Sequence, residues 1–195
     1  MPIETLLSPG YNDARRRLVT DTASLALRPG EIAEADPSAF ASFVNRFPYQ
    51  ETDDQERAIG DVVEDLAAGK PMDRLIVGDV GFGKTEVALR ASFVAVMGGK
   101  QVAILAPTTL LAEQHVATWK DRFADWPVRI VELSRFKTTK EINAALEAIA
   151  KGDADIIIGT HKLLSKETKF ANLGLVIVDE EQRFGVEHKE KLKDL

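Results

Sequence analysis

The chain has 195 residues, of which 45% are hydrophobic, so it can bury the core of one main domain. Its formal net charge is −6, whereas most nucleic-acid-binding domains are basic. Any contact with nucleic acid would therefore depend on where the positively charged side chains lie. It has no cysteine, which excludes disulfides and thiolate metal sites, and its three histidines are too scattered for a metal cluster. There is neither a secretion-like N-terminus nor an apolar run of the roughly 20 residues that a membrane span needs, so we expect a cytoplasmic location.

Residues 1–46 differ in pattern from the remainder and are predicted to be a helical segment that precedes the main domain. A first helix is predicted over residues 12–27, ended by the breaker pair Pro29 and Gly30. Its run of three arginines, at residues 15–17, is typical of a solvated helix face, with phosphate contact as the alternative. A second short helix is predicted from one aromatic and aliphatic stripe that should dock on the main domain: Phe40, Phe43, Val44 and Phe47.

A capping box at Thr52 and Gln55 predicts the start of a helix that continues to about Ala68. In such a box the threonine hydroxyl caps the helix and the glutamine side chain returns to the backbone N–H of the cap. Gln55 thus has a structural explanation, but a glutamine at this distance before a phosphate loop can also read the edge of adenine. The two interpretations are compatible.

The string GDVGFGKT at residues 78–85 satisfies the phosphate-loop pattern G-x-x-x-x-G-K-[ST]. A buried strand is predicted at residues 75–77 and a helix at residues 86–97, which is the context that the pattern needs. A glycine-rich turn without a ligand would not require the Lys-Thr pair. We therefore predict a site for ATP and Mg²⁺, in which Lys84 reaches the β- and γ-phosphates and Thr85 binds the metal. The predicted cofactor-binding set here is Gly78, Asp79, Val80, Gly81, Phe82, Gly83, Lys84, Thr85 and Glu86.

Four further strands are predicted, at residues 101–106, 128–133, 154–159 and 173–178. Between them lie a helix that ends near Phe123 and a second capping-box helix that starts at Thr138. The first of these helices should bury four side chains, namely Leu110, Leu111, Val116 and Trp119. This alternation predicts an α/β fold with a mainly parallel sheet flanked by helices, whose chemistry lies at the carboxyl edge.

Polar residues follow several of these strands at that edge. Thr108 and Thr109 can be ordinary helix caps or can hold a phosphate of a nucleic acid. His161 can be structural, or its loop position can bring it to a ligand. With Arg135 and Thr160, these residues form the predicted DNA-binding set.

The last predicted strand ends in Asp179 and Glu180, followed by Glu181 and Gln182. In a phosphate-loop ATPase the first carboxylate orients Mg²⁺ through water, and the second positions and deprotonates the attacking water. We predict these roles for Asp179 and Glu180. Lys84, Asp179, Glu180 and Gln182 are the predicted catalytic residues, and Thr85 and Asp179 the metal ligands.

Together these strings resemble the first RecA-like lobe of superfamily 2 helicases and translocases, over residues 47–195. In that resemblance, Phe47 and Gln55 correspond to an adenine-reading motif and residues 179–182 to the DExx box. Residues 107–115 and 159–161 correspond to motifs that contact DNA.

The match is nearest to the family of transcription-repair coupling factors, on the strings MDRL, GDVGFGKTEVA, SRF, GTHKLL and DEEQRFGVEHKE. Residues 12–46 resemble, more weakly, the helical segment before the motor. RecG-type fork remodellers share the framework, but they usually have serine at the position of Phe82 and lack the SRF string at residues 134–136. The resemblance implies ATP-driven translocation on double-stranded DNA, with RNA polymerase and excision-repair proteins as partners.

That resemblance also implies a fragment, because the chain lacks a second lobe to complete the ATP site. We therefore expect weak nucleotide binding and slow or absent hydrolysis. The alternatives are a RecG-type lobe, a self-sufficient phosphate-loop enzyme and a non-catalytic nucleotide-binding or interaction module. A self-sufficient enzyme should carry its own cationic finger or acceptor pocket, and the sequence has no segment dedicated to either.

Overall fold

The computed structural model describes residues 35–68, 72, 74–77, 83–180 and 183–184, together with the backbone of residues 4–7 and 18–20. In this part of the chain the strands are β1 (Glu4–Leu7), β2 (Leu18–Thr20), β3 (Arg74–Val77), β4 (Gln101–Leu105), β5 (Ile130–Leu133), β6 (Ile156–Gly159) and β7 (Leu173–Asp179). The helices are α1 (Pro37–Val44), α2 (Asp53–Ala67), α3 (Lys84–Met97), α4 (Thr109–Arg122) and α5 (Thr139–Lys151). A short 3-10 helix covers His161–Leu164. Among these residues, no helix is long and apolar enough to cross a lipid bilayer.

The strands form one sheet in the order β1-β3-β2-β7-β4-β6-β5. Strand β1 pairs with β3 in the antiparallel direction, and the other pairings are parallel. Because parallel strands share one carboxyl edge, the segments that follow β4, β5, β6 and β7 emerge on the same side of the molecule. The predicted mainly parallel α/β sheet is confirmed.

Alternation along the central strands divides the core between the two faces of the sheet. Val102 and Ile104 of β4 belong to a cluster that contains the buried side chains of α1, α2, α3 and α4. Ala103 and Leu105 pack instead with the buried side chains of α5. The sheet is therefore covered by helices on both faces, as a parallel sheet requires.

The predicted stripe of the second short helix is confirmed in part. Phe43 is fully buried, with its ring centroid 4.4 Å from that of Phe93 and 4.9 Å from that of Phe123. Helix α1 ends at Val44, however, so Phe47 lies beyond the helix and not on its stripe. The helix that carries Phe43 thus docks on the main domain through aromatic packing.

The helix predicted over residues 12–27 is wrong at Leu18–Thr20, which form strand β2 between β3 and β7. Pairing with strands on both sides supplies long-range backbone hydrogen bonds that local propensity cannot foresee, and the β-branched residues Val19 and Thr20 favour an extended backbone. Strand β1 was not predicted. The arginines at residues 15–17 and the breaker pair at residues 29–30 lie outside the described residues.

The remaining elements agree with the predictions to within two residues at most ends. Both capping boxes are formed, at Thr52 with Gln55 and at Thr138 with Glu141. One predicted core residue is wrong: Leu110 is 64% exposed, because it lies in the first turn of α4 on the side away from the buried Ala112.

Candidate functional site

The end of the phosphate-loop string leads directly into α3. Gly83 is the N-cap of this helix and has a left-handed backbone with φ of +71°. Lys84 and Thr85 form the first turn, where the free backbone N–H groups and the helix dipole favour a phosphate. Residues 78–82, which carry the other predicted phosphate contacts Gly78, Asp79, Val80, Gly81 and Phe82, lie outside the described residues.

Three predicted catalytic or metal-binding residues meet in one small cavity of about 50 Å³, namely Lys84, Thr85 and Asp179. His115 and the apolar side chains of Ala88, Ile104, Trp119 and Ile177 complete its described lining. A hydroxyl and a carboxylate supply oxygen atoms of the kind that Mg²⁺ binds. The neighbouring ammonium group of Lys84 suits the phosphate oxygens of a nucleotide that carries the ion. The described residues therefore fit Mg²⁺ bound to a nucleotide phosphate.

The acidic pair follows the predicted strand. Asp179 is the last residue of β7, and Glu180 has a positive φ of 49°, which is uncommon for a residue other than glycine. A backbone in this region costs free energy, and residues held in it are frequent at functional sites. The Glu180 carboxylate pairs with Nε of Arg183 at 2.5 Å. Gln182 lies outside the described residues.

His115 makes a contact with Asp179 that the sequence analysis did not foresee. Its Nε2 lies 2.7 Å from Asp179 Oδ2, and because an ionised carboxylate only accepts, Nε2–H is the donor. One feature of the sequence could have indicated this residue. His115 is a polar residue on the helix face that also carries Ala112, Val116 and Trp119, at spacings typical of a buried stripe.

The residues predicted to bind adenine lie near the start of α3. Gln55 is buried and its Oε1 accepts from the backbone N–H of Thr52 at 2.8 Å, which completes the capping box. Its Nε2 lies against the backbone of Gly83. Phe47 is half-buried and meets Tyr49 edge-on at 5.5 Å between ring centroids. Tyr49 is 73% exposed, so this pair offers an aromatic surface to a planar ligand.

Glu86 lies in a buried ion-pair cluster and is not among the described residues that line the cavity. Its Oε1 accepts from Arg90 Nε and from Arg122 Nη2, each at 2.8 Å, and Arg90 also pairs with Glu51. Burial raises the pKa of Glu86, against the opposing effect of the two guanidinium groups. Burial likewise lowers the pKa of Arg122, and the Glu86 carboxylate opposes that shift.

The two arginines of this ion-pair cluster also contact aromatic rings. The guanidinium carbon of Arg122 lies 4.6 Å from the ring centroid of Phe43 and 5.8 Å from that of Phe47. Arg90 lies 6.0 Å from the Phe47 ring. Cation–π contacts of this kind hold Phe47 beside the helix that follows the phosphate loop.

A second cavity, of about 230 Å³, lies at the carboxyl edge of the sheet. It is lined by Pro107 and by all five residues of the predicted DNA-binding set, Thr108, Thr109, Arg135, Thr160 and His161. These residues come from the segments after β4, β5 and β6, so the fold brings together groups that are far apart in the chain. Hydroxyl, imidazole and guanidinium groups suit a phosphate oxygen.

Local contacts shape this second cavity. Thr108 caps α4 by accepting from the backbone N–H of Leu111 at 3.2 Å. At the end of β6, Gly159 has no room for a Cβ atom against the carbonyl oxygen of Leu133, so only glycine allows β6 to approach β5 this closely. After β5, the side chain of Glu132 accepts from Ser134 Oγ at 2.5 Å and pairs with Lys137 Nζ at 2.9 Å. These bonds hold the loop that carries Arg135.

Comparisons with known proteins agree with this geometry. The family model of the DEAD/DEAH box helicases matches residues 52–195. The chain is 54% identical over 183 residues to a transcription-repair-coupling factor of Haemophilus influenzae, covering 94% of this chain and 16% of that protein. It is 57% identical over 153 residues to the factor of the same name from Bacillus subtilis, covering 78% of this chain and 13% of that protein.

Its structure is similar to that of RecG bound to a three-way DNA junction, with a TM-score of 0.74 and 35% sequence identity over 80% of this chain and 21% of that one. The chain spans 16% and 13% of the length of the two curated transcription-repair-coupling factors. The resemblances in the sequence analysis, to helicases in general and to transcription-repair coupling factors in particular, are confirmed, and the sheet is of the RecA-like kind. A match to this family implies ATP binding. The chain belongs to the DEAD/DEAH box helicase family of ATPases.

Proposed function

We propose that this chain is the ATP-binding lobe of a double-stranded DNA translocase that releases stalled RNA polymerase and couples transcription to nucleotide-excision repair. The observation that carries the proposal is the cavity shared by Lys84, Thr85 and Asp179. The identity of more than half to transcription-repair-coupling factors supports the choice of pathway. A cytoplasmic location accords with it.

In this proposal the phosphate loop and the first turn of α3 bind the ATP phosphates, and Lys84 neutralises charge on the β- and γ-phosphates. Thr85 and Asp179 hold Mg²⁺, which supplies further positive charge at these phosphate oxygens. Glu180 orients a water molecule and accepts its proton as the water oxygen bonds to the γ-phosphorus and the bond to ADP breaks. Gln182 completes the acidic motif. The surface of Phe47 and Gln55 binds adenine.

The second cavity contacts the phosphates of one DNA strand through Thr108, Thr109, Arg135, Thr160 and His161. Arg135 supplies the positive charge, and the hydroxyls position the strand without reading its bases. Because the chain as a whole is acidic, this contact depends on the local placement of these groups. RNA polymerase and excision-repair proteins are partners of the longer protein in this proposal.

Nucleotide binding and hydrolysis test the proposal directly. The affinity for a fluorescent ATP analogue should be lost in Lys84→Ala with the fold retained, as judged by circular dichroism. The ATPase rate should be very low with and without duplex DNA, because the lobe carries only part of the catalytic groups. A DNA-stimulated ATPase rate that both Lys84→Ala and Glu180→Gln abolish would contradict the idea that the lobe carries only part of the catalytic groups. Unchanged ATP affinity in Lys84→Ala would contradict the phosphate-loop assignment.

Duplex binding tests the second cavity. Arg135→Ala should weaken binding for all sequences alike and reduce the slope of log affinity against log salt by about 1. Lys120→Ala is the matched control, because it removes one exposed charge near the opposite end of α4. Equal effects of the two substitutions would mean that the cavity is not the DNA contact.

A RecG-type fork-remodelling lobe is the second candidate, because of the 35% identity to RecG bound to a three-way DNA junction. Competition between a linear duplex and a three-way junction separates the two. A clear preference of the chain for the junction would favour the second candidate.

A further inference from the structure

Helix α4 is a single element that contacts both candidate sites. Its N-cap Thr108 and its first residue Thr109 line the cavity at the carboxyl edge. Two turns later, about 10 Å along the helix axis, His115 lines the cavity that contains Lys84 and Asp179. A helix transmits displacement along its axis because its backbone hydrogen bonds make it rigid. A displacement at one end of α4 would therefore reach the other.

The side chain of His115 is held in one orientation. The residue is 9% exposed, and Nε2–H donates to Asp179 Oδ2 at 2.7 Å. Its ring lies edge-on to Trp119, at 5.4 Å between centroids and an interplanar angle of 81°. Trp119 is itself fixed, because its Nε1–H donates to Ser92 Oγ of α3 at 3.3 Å. The imidazole therefore joins α4 to the strand end that carries the metal-binding carboxylate.

We propose that His115 is a positioning residue that makes binding of magnesium-nucleotide and binding of DNA depend on each other, an inference that rests on the proposed function. The hydrogen bond holds Asp179 Oδ2 and thereby sets the direction of the other carboxylate oxygen. Partners of this kind, which bond to a metal-binding group but not to the metal, change metal affinity about 10-fold when they are lost. A shift of α4 on DNA binding moves His115 and with it Asp179.

A purely structural histidine would satisfy the same hydrogen bond without any such dependence. The positioning role and the structural role predict different effects of Mg²⁺ on nucleotide binding when His115 is lost. If His115 acts through Asp179, its loss affects nucleotide binding only when Mg²⁺ is present. A structural role would instead weaken nucleotide binding with and without the metal, because it would distort the whole cavity.

The test measures the Kd of a fluorescent ADP analogue for the full chain, with and without a saturating short DNA duplex, in Mg²⁺ and in EDTA. The variants are His115→Ala, which removes the donor, and His115→Gln, which keeps a donor near the position of Nε2. Gln114→Ala is the matched control, because its side chain is the exposed neighbour on the same turn.

In Mg²⁺ we expect the duplex to change the Kd of wild type, His115→Gln and Gln114→Ala by about 5-fold, within the usual range of coupling between sites. His115→Ala should lose this change and bind magnesium-ADP about 10-fold more weakly, with unchanged affinity in EDTA. An unchanged duplex effect in His115→Ala, no duplex effect in wild type, or loss of the effect in His115→Gln as well would each overturn the inference. Failure of the proposed function would give a different result: the wild-type chain would bind neither the ADP analogue nor the duplex when each is added alone.

Discussion

The side-chain amide of Gln55 occupies the space that a Cβ atom on Gly83 would need. The same amide completes the capping box of α2, so one side chain connects the start of α2 to the phosphate loop. Gly83 also has φ of +71°, where side chains other than glycine are strained. The backbone therefore favours glycine at residue 83, and an added methyl group would also have to displace the Gln55 amide.

Gly83→Ala should lower both the free energy of unfolding and the nucleotide affinity. The left-handed backbone alone costs about 1 kcal/mol with alanine, and displacement of Gln55 adds to it. Gly99→Ala is the matched control: its φ is +74°, but nothing lies within 4 Å of the added methyl group. Urea unfolding and ADP titration should therefore show a larger loss at Gly83.

A double variant isolates the contribution of the neighbour. Gln55→Ala combined with Gly83→Ala should lose less stability than the sum of the single changes, because the smaller side chain leaves room for the methyl group. Simple additivity in urea unfolding would mean that Gln55 does not restrict residue 83.

Arg122→Met should destabilise the fold by about 3 kcal/mol, because it leaves the buried Glu86 carboxylate with one guanidinium partner fewer. Removing the charge as well, in Glu86→Gln with Arg122→Met, should recover part of the loss. Arg129→Met, at an exposed position, should change stability by less than about 0.5 kcal/mol. Urea unfolding measures all three, and a similar effect at Arg122 and Arg129 would contradict the importance of the buried cluster.

Glu51→Gln should change how stability depends on acid pH. The hydrogen bond from Arg90 lowers the pKa of the Glu51 carboxyl below its ordinary value of 4.5. As the pH falls below that value the unfolded chain takes up the proton first, so the stabilisation is present above it and is lost towards the folded-state pKa. Thermal melts from pH 7 to about pH 3 should therefore decline less steeply for Glu51→Gln than for wild type. The exposed Glu56→Gln should melt like wild type throughout, and parallel curves for Glu51→Gln would contradict the pairing.

Phe43→Ala should cost about 4 kcal/mol, because the ring is fully buried among Phe93, Phe123 and Trp126. Phe136→Ala removes the same side chain at a site that is 59% exposed, and should be close to neutral. A small loss at Phe43 in urea unfolding would mean that α1 is not part of the cooperative unit.

The position of Lys84 and Thr85 at the start of α3 was predictable because the signals for it are local. The phosphate-loop string, the strand before it and the helix after it lie within about 25 residues, and spacing alone assigns Lys84 and Thr85 their places. Asp179 could be joined to them because parallel strands share a carboxyl edge. The grouping of Thr108, Arg135 and His161 in one cavity followed from the same rule.

Contacts between distant elements were not predictable. The partner of His115 is 64 residues away, and nothing in the sequence indicated that Glu86 pairs with Arg90 and Arg122. Strand β2 was mistaken for helix, because its neighbours β3 and β7 come much later in the chain. Periodicity and capping are short-range properties that can be read directly from a sequence, and they are sufficient for most helices and strands. Pairing, burial of charge and the orientation of a side chain depend on which surfaces meet after folding, and only the tertiary structure decides those.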